Sequence, residues 1–119
     1  IGAHFSIAGG LHKAIDRARE LDCSVLQLFT HNPRQWAVSP VNEEDPVLFR
    51  EKRGSLIIAA HTSYLINLAS PNPELWARSL RSFTLELGRC AALDLDFLVK
   101  VRFLEFVQAI FWFISFGYP

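Results

Sequence analysis

His61 ends an unbroken apolar run, Leu56 to Ala60. Two hydroxyl residues and the large pair Tyr64–Leu65 follow it, with no charge before Pro71 and Pro73. A neutral imidazole held at a rigid strand end is well suited to bind a metal such as zinc. The plainer alternative is a hydrogen-bonded structural histidine or a solvated one. Two other places gather similar chemistry: His4 after a short apolar opening, and the stretch Thr30 to Trp36, with Asn32, Pro33 and Arg34. Trp36 reads mainly as core or loop packing, and Arg34 by itself is equally a surface ion-pair partner. His12 and His31 have no partner signal, so exposed, solvated imidazoles are expected. Asp16, Glu20, Glu43, Glu44 and Asp45 read as solvated charges rather than a carboxylate pair. The turn "SIAGG" is too short for a nucleotide fingerprint.

Elements must place these groups. Ile1 to His4 reads as the end of a strand, and Gly9 and Gly10 relax the turn after it. Leu11, Ala14, Ile15, Ala18 and Leu21 recur at helical spacing opposite Lys13, Asp16, Arg17 and Glu20, which predicts an amphipathic helix. Val25 to Phe29 is a second strand, and "THNPRQWAVSP" a loop punctuated by Asn32, Pro33, Ser39 and Pro40. A short helix from about Pro46 to Lys52 ends at Gly54, and Leu56 to Ala60 is the third strand. Pro73 and Glu74 open a long helix with apolar positions Leu75, Trp76, Leu80, Phe83, Leu87 and Cys90, which Gly88 weakens slightly. Phe97 to Val99 is the fourth strand.

Apolar strands alternating with amphipathic helices predict an α/β fold with a parallel sheet and right-handed crossovers. The sheet is either part of a barrel or a small open one. In both, chemistry gathers at the carboxyl ends of the strands, where His4, Thr30–Trp36 and His61–Tyr64 fall.

The totals narrow the classes. The 119 residues are half hydrophobic, with twelve basic and twelve acidic side chains, enough for one small core. A formal charge of zero gives no broad basic surface, so nucleic-acid contact would be local. Cys23 and Cys90 are too far apart for a metal or redox motif and read as buried free thiols of a reducing compartment. No secretory leader is expected at the front. The absence of methionine and the strand-like opening suggest a piece of a longer protein. Residues 100 to 119 break the pattern: beyond Glu105 no charge occurs. That apolar stretch is too short for an expected membrane span, and its fold is unassigned.

Three segments together, "IGAHFSIAGGLHKAIDRARELD", "LQLFTHNPRQW" and "AAHTSYLINLASP", resemble the endonuclease IV family of zinc-dependent apurinic/apyrimidinic endonucleases. "RSFTLELGRCAALDLDFLV" is similar to that family's next helix and strand. The resemblance covers residues 1 to about 99 and implies the first three to four units of an incomplete (β/α)₈ TIM barrel. It implies a DNA-repair enzyme that cuts duplex DNA on the 5′ side of an abasic site, using three zinc ions that lower the pKa of bound water and neutralise phosphate charge. His61 matches the first zinc ligand. Arg34, Tyr64 and Leu65 match DNA-binding loops, where Arg meets phosphate or stacks in the gap and Tyr–Leu wedges base steps. His4 and Asn32 match polar residues of the pocket floor. The resemblance further implies a monomer, no membrane contact, and a cytoplasmic site of action, nuclear or mitochondrial in a eukaryote.

The departure lies at Lys100-Val101-Arg102, where the family's pattern has a His-Pro-Gly segment and its next ligand. One imidazole does not make a trinuclear site, so the 119 residues alone are expected to be inactive and poorly soluble. Two alternatives remain: a metal-dependent sugar or sugar-phosphate isomerase on the same barrel, which shares strand-end histidines, and a non-enzymatic truncated product. A protruding "SYLINL" wedge favours the nuclease.

Overall fold

The computed structural model describes residues 1–39, 41 and 44–100. Glu43 and the tail from residue 101 onward therefore lie outside the described residues. Seven elements alternate: β1 (Gly2–His4), α1 (Leu11–Glu20), β2 (Val25–Leu28), α2 (Glu44–Arg53), β3 (Ile57–His61), α3 (Pro73–Ala92) and β4 (Phe97–Val99). The order expected from periodicity holds, with ends moved by one or two residues. The shift that matters is at β3, where His61 is the last residue of the strand rather than the first of the loop.

The strands pair in parallel and in chain order, β1-β2-β3-β4. Gly2 lies opposite Val25, Val25 opposite Ile57, and Ala59 opposite Phe97. A strand order that never reverses sends every right-handed crossover the same way, so the helices gather on one face. A doubly wound sheet would reverse its order and cover both faces. One cluster contains Leu26 and Leu28 of β2 and Ile58 and Ala60 of β3. It also contains Ala14, Ile15 and Ala18 of α1, Phe49 of α2, and Cys90. The alternate strand residues Val25, Ile57 and Phe97 point the other way and are exposed, Phe97 by 59%. Among the described residues, helices on one side and an apolar, helix-free face on the other describe a segment of a barrel wall, whose inner face closes only when the ring does.

Each helix returns to the sheet through one left-handed residue: Asp22 (φ 52°) after α1, Gly54 (φ 55°) after α2 and Asp94 (φ 54°) after α3. This conformation costs a residue with a Cβ, and glycine or a short polar side chain bears it best. Entry into α3 is equally local. Asn72 Oδ1 accepts from the amides of Glu74 (2.9 Å) and Leu75 (3.1 Å), and Pro73 fills the first helical position.

The buried face of α3 differs from the expected one. Trp76, Leu80 and Leu87 are exposed, and Ser79, Ser82, Glu86 and Cys90 are buried. Of the apolar stripe expected to face the core, only Cys90 is buried; Leu75 and Phe83 are half-buried, and Trp76, Leu80 and Leu87 look outward. The side turned inward meets loop backbone that needs hydrogen-bond partners, which hydrocarbon cannot supply. Both cysteines are free and buried, as expected. Burial, above all, pushes the Cys90 thiol up to about 11, so it stays protonated at neutral pH.

Candidate nucleic-acid interface

The carboxyl ends of β1, β2 and β3 meet around one ring. Phe29, the residue after β2, has His4 at 4.9 Å, His61 at 5.2 Å and Tyr64 at 5.3 Å between ring centres, all edge-to-face. His61 and Tyr64 are 5.8 Å apart. The parallel register brings these groups together: His4 and His61 close β1 and β3, and Phe29 follows β2 between them. His61 is half-buried, and its Nδ1 lies 2.8 Å from the Thr62 carbonyl. A carbonyl only accepts, so Nδ1 carries the proton and Nε2 keeps its lone pair. Among the described residues Nε2 has no partner.

The loops after β2 and β3 are joined directly. Pro33 O accepts from Ser63 Oγ (2.8 Å) and from the Tyr64 amide (3.1 Å). Ser63 Oγ in turn accepts from the Leu65 amide at 3.2 Å. Asn32 turns its own loop, accepting from the Arg34 amide at 3.0 Å, so its carboxamide oxygen serves the backbone. These bonds carry Arg34 and Tyr64 to one rim. The Arg34 side chain is exposed, and no ion pair of it occurs among the described residues. Tyr64 is 44% exposed and Leu65 half-buried. Trp36 is half-buried beneath the Arg78 guanidinium, 4.5 Å from its ring centre, in line with the loop-packing expectation.

His31 is not the solvated imidazole expected. Its side chain is 8% exposed, and Nε2 donates to Glu86 Oε1 at 2.6 Å. The same oxygen accepts from the Ser63 amide at 2.9 Å. Nothing near His31 in the chain signals this, because the partner lies 55 residues away. Arg89, one turn on, donates to Thr30 Oγ1 (3.3 Å), to Thr30 O and to Ser39 O (2.5 Å). Desolvation lowers its pKa from the ordinary value. Hydrophobic pattern reading missed Glu86 and Arg89. The available signal is the polar series Ser79, Ser82, Glu86 at helical spacing on one face. Asp16, expected to be a solvated charge rather than one of a carboxylate pair, remains about a third exposed, 34%, and pairs with Lys52 at 2.9 Å. His12 is half-buried rather than fully exposed.

Lys100 follows β4 at the position where the family pattern expects another ligand, and its Nζ reaches Ile66 O at 3.3 Å. Among the described residues no three His, Cys, Asp or Glu side chains converge as a metal site, and no helix is long and apolar enough to cross a membrane.

No family model matches the chain. Similar curated proteins are the probable endonuclease 4 of Methanosphaerula palustris and that of Citrifermentans bemidjiense. Each is 45% identical over 102 residues, 83% of this chain and 36% of theirs. The crystal structure of endonuclease IV from Thermus thermophilus superposes with a TM-score of 0.79 at 34% identity, covering 83% of this chain and 38% of that one. The chain thus spans about a third of the length of the curated relatives it matches. The superposition agrees with the barrel-segment topology of the sheet. Over the residues they share, in sequence and in fold, this chain belongs to the endonuclease IV family.

Proposed function

We propose that the rim formed by Arg34, Tyr64 and Leu65 faces the lesion in an abasic-site endonuclease, which hydrolyses the phosphodiester 5′ to the abasic site in duplex DNA of the cytoplasm. The observation that carries this reading is the company His61 keeps. Its Nδ1 is tied to the Thr62 carbonyl, leaving Nε2 for a metal, and its half-buried ring lies 5.8 Å from that of Tyr64, whose amide bonds to the carbonyl of Pro33, the residue before Arg34. The reaction requires a cation beside a backbone phosphate and a wedge beside a missing base, and this rim offers both residue types.

Zinc is the metal the family implies. When bound, it lowers the pKa of an attacking water and neutralises phosphate charge. His61 suits one zinc, since a carbonyl bonded to its other ring nitrogen orients the imidazole, as metal-bound histidines require. No three His, Cys, Asp or Glu side chains converge among the described residues, so they do not by themselves fit a three-zinc site. What this segment's own residues do is bind and orient. Arg34 holds phosphate, Tyr64 and Leu65 open the base step, and His4 with Phe29 floors the pocket.

The test is made in a monomeric chain of the relatives' length carrying these residues. His61→Ala is expected to lower bound zinc and cut incision of abasic duplex by at least ~100-fold. Arg34→Ala and Tyr64→Ala are expected to weaken abasic-duplex binding by roughly 10-fold with zinc content unchanged. Undiminished incision by His61→Ala, or turnover of an aldose–ketose pair in place of DNA, would overturn the reading.

A further inference from the structure

Glu86 is the most buried charged side chain of the described core, 2% exposed, and it lies on the helix rather than at the mouth. A carboxyl group in such a place is costly unless its bonds are specific. Its bonds run to two different loops. Oε1 takes His31 Nε2–H from the loop after β2 and the Ser63 amide from the loop after β3. His31 stands three residues before Arg34, and Ser63 immediately precedes Tyr64. One oxygen of a rigid twenty-residue helix thus fixes the base of both arms of the rim. Beyond it, Pro33 O ties the arms to each other through Ser63 Oγ and the Tyr64 amide.

We propose that Glu86 is a positioning residue, a buried brace that sets the spacing between Arg34 and the Tyr64–Leu65 wedge by holding His31 and the Ser63 amide on one carboxyl oxygen. Core filling alone does not call for a carboxyl group here. An apolar residue of similar size would fill the space and leave two donors unpaired. Arg89 reinforces the brace from the next turn, gripping Thr30 and Ser39 of the same loop. The chemistry asked of Glu86 is acceptance at one point in space, without touching DNA. The DNA consequence rests on the function proposed above; the loop geometry does not.

Two readouts on the full 119-residue chain separate these. The first is amide hydrogen exchange without DNA. Glu86→Ala is expected to speed exchange at Ser63 and Tyr64 by at least ~10-fold, with the ladder amides of β2 and β3 left near wild type. Glu86→Gln, whose amide oxygen still accepts, is expected to restore protection. His31→Ala cuts one arm only and is expected to speed exchange at Tyr64 through Pro33. It also serves should Glu86→Ala fail to fold. The second readout is fluorescence anisotropy with a duplex carrying a tetrahydrofuran abasic analogue against an intact duplex. The preference for the abasic duplex is expected to fall roughly 10-fold in Glu86→Ala and to return in Glu86→Gln.

Unchanged exchange at Ser63 and Tyr64 in the folded alanine variants would overturn the brace. Accelerated exchange with an undiminished abasic preference would overturn the claim that the brace sets the rim for DNA. A wild-type chain that binds both duplexes equally would count against the DNA reading, and the exchange data would still decide the brace.

Discussion

Asp96 shows what one carboxylate does at the opposite end of the sheet from the rim. It precedes β4 and accepts from the Ile58 amide at 2.8 Å and from the Arg53 guanidinium at 2.7 Å, so it pins β4 beside β3. The Ile58 amide, more than the Arg53 charge, lowers its pKa from the ordinary value, while partial burial opposes the shift. A depressed folded pKa stabilises the fold above the unfolded carboxylate pKa. That contribution disappears as pH falls through the folded value. Asp96→Asn is therefore expected to lower the melting temperature at pH 7 and to melt with the wild type once the solution is acid enough to protonate the carboxylate in both states. A difference that persists undiminished into acid would show that the charge is not what pins the strand. Such a carboxylate is legible as a residue type. Its partners, 38 and 43 residues away, are not, and the same holds for Glu86 with His31.

At the scale of elements, α3 is the instructive case. Its start is written locally in Asn72-Pro73-Glu74, because capping involves only the first turn. Asn72→Ala is expected to cost about 1 kcal/mol of stability, read by denaturant titration, and a loss within error would mean the cap is replaced by solvent. Its facing is not local. The apolar spacing Trp76, Leu80, Leu87 is sound helix periodicity, yet it marks the exposed side. Periodicity reports that a helix has two faces. Which face turns inward depends on what the sheet and loops present to it, and here they present amides and carbonyls. The returns to the sheet at Asp22, Gly54 and Asp94 fall between. The glycine is readable as a helix stop, whereas left-handed aspartates are recognised only once the backbone is seen.

For the molecule as a whole, the consequence of a barrel segment is exposed hydrocarbon. The inner sheet face carries Val25, Ile57 and Phe97, and the outer stripe of α3 carries Trp76, Leu80 and Leu87. Patches of this kind drive association, and among the described residues β1 and β4 are the edge strands of the sheet. The 119-residue chain is expected to self-associate with rising concentration in sedimentation or light scattering, and not to incise abasic DNA. The pair Leu80→Lys and Leu87→Lys is expected to reduce that association at a cost below about 1 kcal/mol, since both sites are exposed. A stably monomeric wild type at high concentration would contradict the exposed-patch account.

What the sequence by itself determined is what depends on near neighbours: the alternation of strands and helices, the cap at Asn72, the stop at Gly54, and the strand-end placement of His61, Arg34 and Tyr64. Their order also carried the family resemblance. That the sheet belongs to a barrel wall, implied in the sequence only by the family resemblance, follows physically from the unreversed strand order, and the tertiary structure alone decided that α3 buries its polar side and that Glu86 and His31 meet. The physical reason is common to all three. Each depends on which groups a fold brings within hydrogen-bonding or packing distance across dozens of residues, and spacing along the chain does not encode that distance.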